Sequence, residues 1–212
     1  MHLWATGIEE PLLRFFRNPA DVPAVEAIFE CFTRDKNAQE SAAYSILKNQ
    51  SFKELYESWY VPEEFTLAEL QELPEGTLGR AYSDHMIKNN LDPNFISEMG
   101  ARDVLSYIWC RASHVHDIGH LMTGYNTTYL GELALKAFDI GQHSSPFSTA
   151  MLGAGMFSVM AYYPVAAKPM MDAIVAGYER GKQFPLLMGI KWDLEWETPM
   201  DELRSKYGIP TV

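Results

Sequence analysis

Apolar positions recur at three- and four-residue intervals along most of the chain, and the stretches carrying that period are separated by short connectors rich in Gly, Pro or Asn. The period predicts helices at about 24–33, 66–74, 77–90, 101–122, 128–142, 147–163 and 169–182. Asp21-Val22-Pro23 reads as an N-cap with the proline tolerated in a first helical turn, and Thr66-Leu67-Ala68-Glu69 has capping-box spacing. Alternating strand patterns and internal repeats are not found in the sequence, so the expectation is one mainly α domain over 1–212, least defined in its first sixty residues.

From Asp139 to Lys168 no charged side chain interrupts the sequence for 28 positions. Trimmed of Gln142 to Pro146 and of Pro164, the run leaves about 17 residues, roughly 26 Å of helix, which is short for a bilayer. A membrane span, an ordinary central helix and a helix walling an apolar ligand tunnel all fit this pattern. In the tunnel reading, Met151, Gly155 and Val159 are substrate-binding positions, and the small residues Ala150, Gly153, Ala154 and Gly155 let a lipid chain or another helix come close.

Composition narrows the class. With 17 basic against 28 acidic residues the net charge is −11, which repels a phosphate backbone and argues against nucleic acid as a partner. Cys31 and Cys110 form no CxxC pair, so neither a disulfide framework nor a cysteine zinc site is suggested. The N-terminal segment reaches Glu9 and Glu10 before any long apolar run and makes a poor secretory signal, which points to a cytoplasmic protein. No GxGxxG follows a strand, so nicotinamide and flavin are not indicated.

The densest chemical signal is His116-Asp117-Ile118-Gly119-His120, followed by Glu132. On a helix, positions i, i+1 and i+4 fall within about a quarter of the circumference, so His116, Asp117 and His120 share a face. Gly124-Tyr125-Asn126-Thr127 reads as the turn of an αα-hairpin, with His116 eight residues before Gly124 and Glu132 eight after it, at matched depth if the helices run antiparallel. Two imidazoles and a carboxylate are a complete protein ligand set for zinc with an open position, and equally for non-haem iron. The spacing follows HExxH logic with the acid one methylene shorter, which weakens a peptidase reading. Asp117 is open to three roles: ligand, general base on a metal-bound water, or orienting partner of a histidine. The bland alternatives are a chance histidine pair held by ordinary hydrogen bonds and a Glu132 that merely complements its helix N-terminus.

Other candidates are weaker. Arg80, after Gly76-Thr77-Leu78-Gly79, pairs either an anionic head group or a neighbouring carboxylate. His85, His114 and His143 read as satisfied or exposed single histidines, and the segment from Trp192 to Trp196 as packing.

Taken together, the hallmark His116, Asp117, His120 and Glu132, with Arg111-Ala112 before it, Leu121-Met122-Thr123-Gly124-Tyr125 after it and Gly131-Glu132-Leu133-Ala134-Leu135-Lys136-Ala137-Phe138 beyond, resembles the coenzyme Q (ubiquinone) biosynthesis family Coq number four. Leu73-Pro74-Glu75-Gly76-Thr77-Leu78-Gly79-Arg80-Ala81-Tyr82 and Trp196-Glu197-Thr198-Pro199-Met200-Asp201-Glu202-Leu203-Arg204 are similar to further family signatures, so the resemblance spans 73–209. Gly119 stands where the family has a bulky aromatic residue, and Ser113-His114 replace a more charged pair.

The resemblance implies an all-α helical bundle with a central αα-hairpin metal site and an apolar lipid-binding tunnel. It implies a divalent metal at the four hallmark residues, zinc first and magnesium or iron next, with Asp117 also the catalytic candidate. It further implies an isoprenoid or prenylated quinone-like lipid as ligand, peripheral membrane association, a homodimer and other quinone-biosynthetic enzymes as partners. The activity linked to the family is oxidative decarboxylation at ring C1 of prenylated hydroxybenzoate-type precursors. Two rival functions remain: a non-catalytic lipid-binding scaffold, and an HD-type phosphohydrolase in which His85 and Asp172 complete the ligand set around His116-Asp117.

Overall fold

The computed structural model describes residues 7–17, 21–34, 43–93, 101 and 103–210. The start of the N-terminal segment, up to residue 6, and position 102 of the helix expected over 101–122 lie outside the described residues. Among the described residues the regular structure is helical, with one isolated bridge pairing Thr77 and Pro199. The chain gathers into two compact units, each discontinuous in sequence: 1–45 with 128–182, and 46–127 with 183–212.

The first unit contains α1 (Glu9–Arg17) and α2 (Val22–Arg34). Asp21 starts α2 by accepting the Ala24 N–H at 3.1 Å, and Arg14 of α1 grips the same carboxylate through two nitrogens at 3.0 and 2.8 Å.

In the second unit, α3 (Gln50–Glu57) is capped by Asn49, and α4 (Leu67–Gln71) begins with the expected Thr66/Glu69 capping box. Next come α5 (Leu78–Asn89), capped by Thr77 and closed by a left-handed Asn90, and α6 (Val104–Thr123). Asp103 and Ser106 cap the start of α6 reciprocally, and Gly124, at φ 73°, ends it by donating its N–H to the His120 carbonyl at 2.8 Å.

Two helices that follow the turn return the chain to the first unit. They are α7 (Tyr129–Gln142), capped by Thr128, and α8 (Pro146–Tyr162), which begins at Ser145 with Pro146 in its first turn. A 3-10 turn, Pro164–Ala166, leads into α9 (Ala167–Gly181). Glycines let α7 and α9 meet closely: a Cβ on Gly177 would strike the Ala134 carbonyl, one on Gly181 the Phe138 carbonyl, and one on Gly141 the Tyr178 carbonyl. Leu133, Val159 and Met170 form an apolar cluster between α7, α8 and α9, and Tyr129 donates its hydroxyl to the Gly155 carbonyl at 2.7 Å.

The long uncharged run thus supplies α8, and no helix among the described residues is long and apolar enough to cross a membrane. Met151 and Val159 are buried, and Gly155 packs directly against Leu133. The end of α8, the connection after it and α9 expose Met160, Tyr162, Tyr163, Val165, Met171 and Val175, with Val165 92% accessible.

The chain re-enters the second unit through two 3-10 turns, Leu187–Gly189 and Trp192–Glu195, and ends in α10 (Met200–Tyr207). Trp192 is fully buried and donates its indole N–H to the Leu187 carbonyl at 2.9 Å, while Trp196 packs on Phe65 and Tyr82. The segment read from sequence as packing therefore lies in the core of its unit.

Candidate metal centre

Side-chain hydrogen bonds set the position of α6 within its unit. Tyr107 donates its hydroxyl to the Leu55 and Tyr60 carbonyls at 3.0 Å each. One turn on, the buried Arg111 guanidinium donates to the Met188 carbonyl at 3.1 Å and to the Ile190 carbonyl at 2.6 Å. Near its C-terminus, Arg204 of α10 donates to the Leu121 carbonyl at 3.1 Å, one of the acceptors a helix end leaves unused. Each contact is directional, so together they fix the rotation of α6 as well as its depth.

That rotation brings His116, Asp117 and His120 together, with one donor atom from each lying within 4.8 Å of the others. The His116 and His120 rings meet nearly edge to face, centroids 4.9 Å apart at 78°. His120 is buried, and its Nδ1 lies 2.8 Å from the Tyr125 carbonyl. A carbonyl only accepts, so Nδ1 carries the proton and the lone pair is on Nε2, the tautomer a ligating histidine needs. Burial pushes the Asp117 carboxyl up, but a hydrogen bond from His85 and the nearby imidazoles of His116, His85 and His120 outweigh it, holding the group below the ordinary carboxylate range. Tyr82 is moved the other way, raised by burial and then by the Asp117 charge. Two imidazoles and an ionised carboxylate are donors suited to zinc or iron, and His116, Asp117 and His120 fit such an ion.

Beside the cluster is a cleft of about 290 Å³ lined by α5, the last turn of α6 and the turn that follows it, including His85, Lys88, His120, Leu121, Tyr125 and Thr127. Of the three donor residues, His120 lines it.

Glu132, expected as the closing ligand, stands in the first turn of α7, which belongs to the first unit, and its N–H reaches the Thr128 carbonyl at 2.8 Å. Arg80 holds Asp84 at 3.2 Å and the Gln71 carbonyl at 2.9 Å. Asp172, the distant residue of the phosphohydrolase reading, is exposed on α9 and paired with Lys168 at 2.8 Å. His85 is the residue the sequence undervalued: its Nε2 is 3.2 Å from Asp117 Oδ1, and its ring stacks on His120 at 5.7 Å. A pairing across 32 positions leaves no local spacing signal.

A second buried polar group lies on α6. His114 is held down at about 4 by burial, with Arg111 adding to the effect. Its Nε2, Arg111 Nη1 and Asp193 Oδ1 are buried without a hydrogen-bond partner among the described residues, and Asp193 also accepts a short hydrogen bond from Tyr60.

These features define a helical protein whose donor cluster is suited to a metal, built on a single HDxxH turn. Residues 45–212 match the family model described as coenzyme Q (ubiquinone) biosynthesis protein Coq4, and the chain belongs to that family. The mitochondrial ubiquinone biosynthesis protein COQ4 homologue of Rattus norvegicus is 29% identical over 150 residues, an alignment covering 68% of this chain and 54% of the rat protein. The Homo sapiens homologue is 28% identical over 156 residues, with 68% and 54% covered, and that of Danio rerio is 31% identical over 147 residues, with 68% and 53% covered. The chain spans about half the length of these relatives. It is also similar to a crystal structure from Nostoc punctiforme PCC 73102 that carries a provisional ubiquinone-biosynthesis description. That likeness has a TM-score of 0.83 and 28% identity, and covers 95% of this chain and 96% of the other.

Proposed function

We propose that the chain acts in ubiquinone or prenylquinone biosynthesis, holding a divalent metal, zinc first, at His116, Asp117 and His120 with Glu132 as the further ligand. A prenylated ring precursor sits beside it and loses its C1 carboxyl in an oxidative decarboxylation. The observation that carries this reading is the convergence of three donor atoms on the HDxxH face of α6, in a chain belonging to the Coq4 family.

A bound cation would supply Lewis acidity toward an oxygen substituent of the ring. The chain's own residues do the rest. Tyr125 fixes the His120 tautomer, the Asp117 carboxylate stays ionised for use as a ligand or proton acceptor, and the cleft beside α5 admits the ring. Replacement of the carboxyl by a hydroxyl is a two-electron oxidation, so an oxidant must come from outside the chain.

The isoprenoid tail would lie along apolar surface, with Met151, Gly155 and Val159 as the tunnel positions and Arg80 as the head-group contact. Peripheral membrane association and work alongside other quinone-biosynthetic enzymes, as a homodimer, belong to the same proposal. The exposed apolar residues at the end of α8 and the start of α9 support the membrane part, and also support the second reading, a scaffold that presents lipid without catalysing a step.

Cells lacking their own Coq4 protein separate the two. The wild-type chain restores quinone formation in either case. If the chain catalyses the step, Asp117→Asn abolishes restoration and the ring-carboxylated precursor accumulates. Full restoration by Asp117→Asn would favour the scaffold, and failure of the wild-type chain to restore any quinone would contradict both.

A further inference from the structure

A carboxylate ligand on a helix swings about two torsions, so a well-formed metal site needs something to hold it. His85 of α5 is placed for that task. Its side chain is only 12% exposed, its Nε2 stands 3.2 Å from Asp117 Oδ1, and its ring lies over His120 with 26° between the planes.

The next turn of α5 sets the tautomer. Asn89 donates Nδ2 to the His85 carbonyl at 2.8 Å and has the same nitrogen within 3.5 Å of His85 Nδ1, while its Oδ1 accepts the Thr127 hydroxyl at 3.3 Å. An amide nitrogen only donates, so Nδ1 is the accepting atom of the ring and Nε2 bears the hydrogen facing Asp117. A relay thus runs from the turn after α6, through Asn89 and His85, to the carboxylate.

We propose that His85 is a positioning residue of the metal centre: its Nε2–H holds the Asp117 carboxylate in one orientation, and its ring holds His120 against the Tyr125 carbonyl. The inference rests on the metal reading given above. In this role it acts through two of the ligands, Asp117 and His120.

The test is metal affinity of the full chain, stripped with a chelator and titrated with Zn²⁺ against a chromophoric competitor, with Co²⁺ absorption as the signature of ligand geometry. His85→Phe keeps a ring to lie on His120 but has no donor, His85→Gln keeps a donor of similar reach, and His85→Asn has a donor too short to reach Asp117. The expected result is zinc binding weakened about 10- to 100-fold in His85→Phe and His85→Asn, with an altered Co²⁺ spectrum, and recovery of most of the affinity and spectrum in His85→Gln. Zinc affinity within about twofold of wild type in His85→Phe, or a His85→Gln as weak as His85→Asn, overturns the proposal. Should His85→Phe fold poorly, the Gln and Asn pair decides alone. A wild-type chain that takes up no divalent metal overturns the metal reading and this inference with it, whereas normal wild-type uptake matched by His85→Phe overturns this inference only.

Discussion

In the first unit, Gly141, Gly177 and Gly181 let α7 and α9 meet backbone to backbone; in the second, Tyr107, Arg111 and Arg204 reach from helices to carbonyls of other segments. The glycine seam is close but carries little direction, and what it demands of the sequence is the absence of side chains. The second unit demands particular donors at particular positions, and each of them fixes a rotation as well as a distance. The donor cluster lies in the second unit, where the rotation of α6 decides whether two imidazoles and a carboxylate converge. The exposed apolar residues at the end of α8 and on α9 lie in the first, where the proposed lipid contact requires area and little geometry.

The contrast is broken most forcefully at the seam. Gly177→Val drives side-chain carbons into the Ala134 carbonyl and costs about 3 kcal/mol, read as a lower midpoint in denaturant unfolding. Next comes Arg111→Met, which keeps much of the volume but strands the Met188 and Ile190 carbonyls. Its cost is about 2–3 kcal/mol by the same measurement, with zinc affinity falling too because the register of α6 loosens.

Acid acts on the second unit in a defined window. The unfolded chain protonates His114 below its ordinary 6.5, whereas the folded chain resists until about 4, so stability falls as pH drops through that interval. The loss is on the order of 2 kcal/mol, and unfolding midpoints measured from pH 7.5 to 4 should show it in the wild type and lack it in His114→Phe. The smallest effect on folding comes from the exposed apolar residues: Met160→Ser with Val165→Ser changes stability by less than about 0.5 kcal/mol. The same pair should reduce flotation with phosphatidylcholine vesicles, a neutral surface chosen because the chain carries a net −11.

The parts of the molecule governed by neighbours in sequence were legible in advance. The Thr66/Glu69 capping box, the Asp21 start of α2, the Gly124 stop and the one-face placement of His116, Asp117 and His120 all follow from spacings of a few residues. The short helices α1, α3 and α10 are not legible in the sequence, because 8 or 9 residues offer too few turns for a periodic signal. The uncharged run admitted three readings because its apolar residues continue around the whole circumference. Burial of Met151 and Val159 beside the exposure of Met160 and Tyr162 is decided by what packs against α8. His85 was undervalued for the same reason: its meeting with Asp117 is made by the packing of α5 on α6.

The central claim, that the HDxxH face holds a metal, is tested most directly by crystals grown with Zn²⁺ and measured on both sides of the zinc absorption edge. The account predicts one strong anomalous peak within coordinating reach of His116, Asp117 and His120, about 2.0–2.2 Å from their donor atoms. An anomalous map with no peak at those side chains, or with zinc bound only elsewhere, would contradict it.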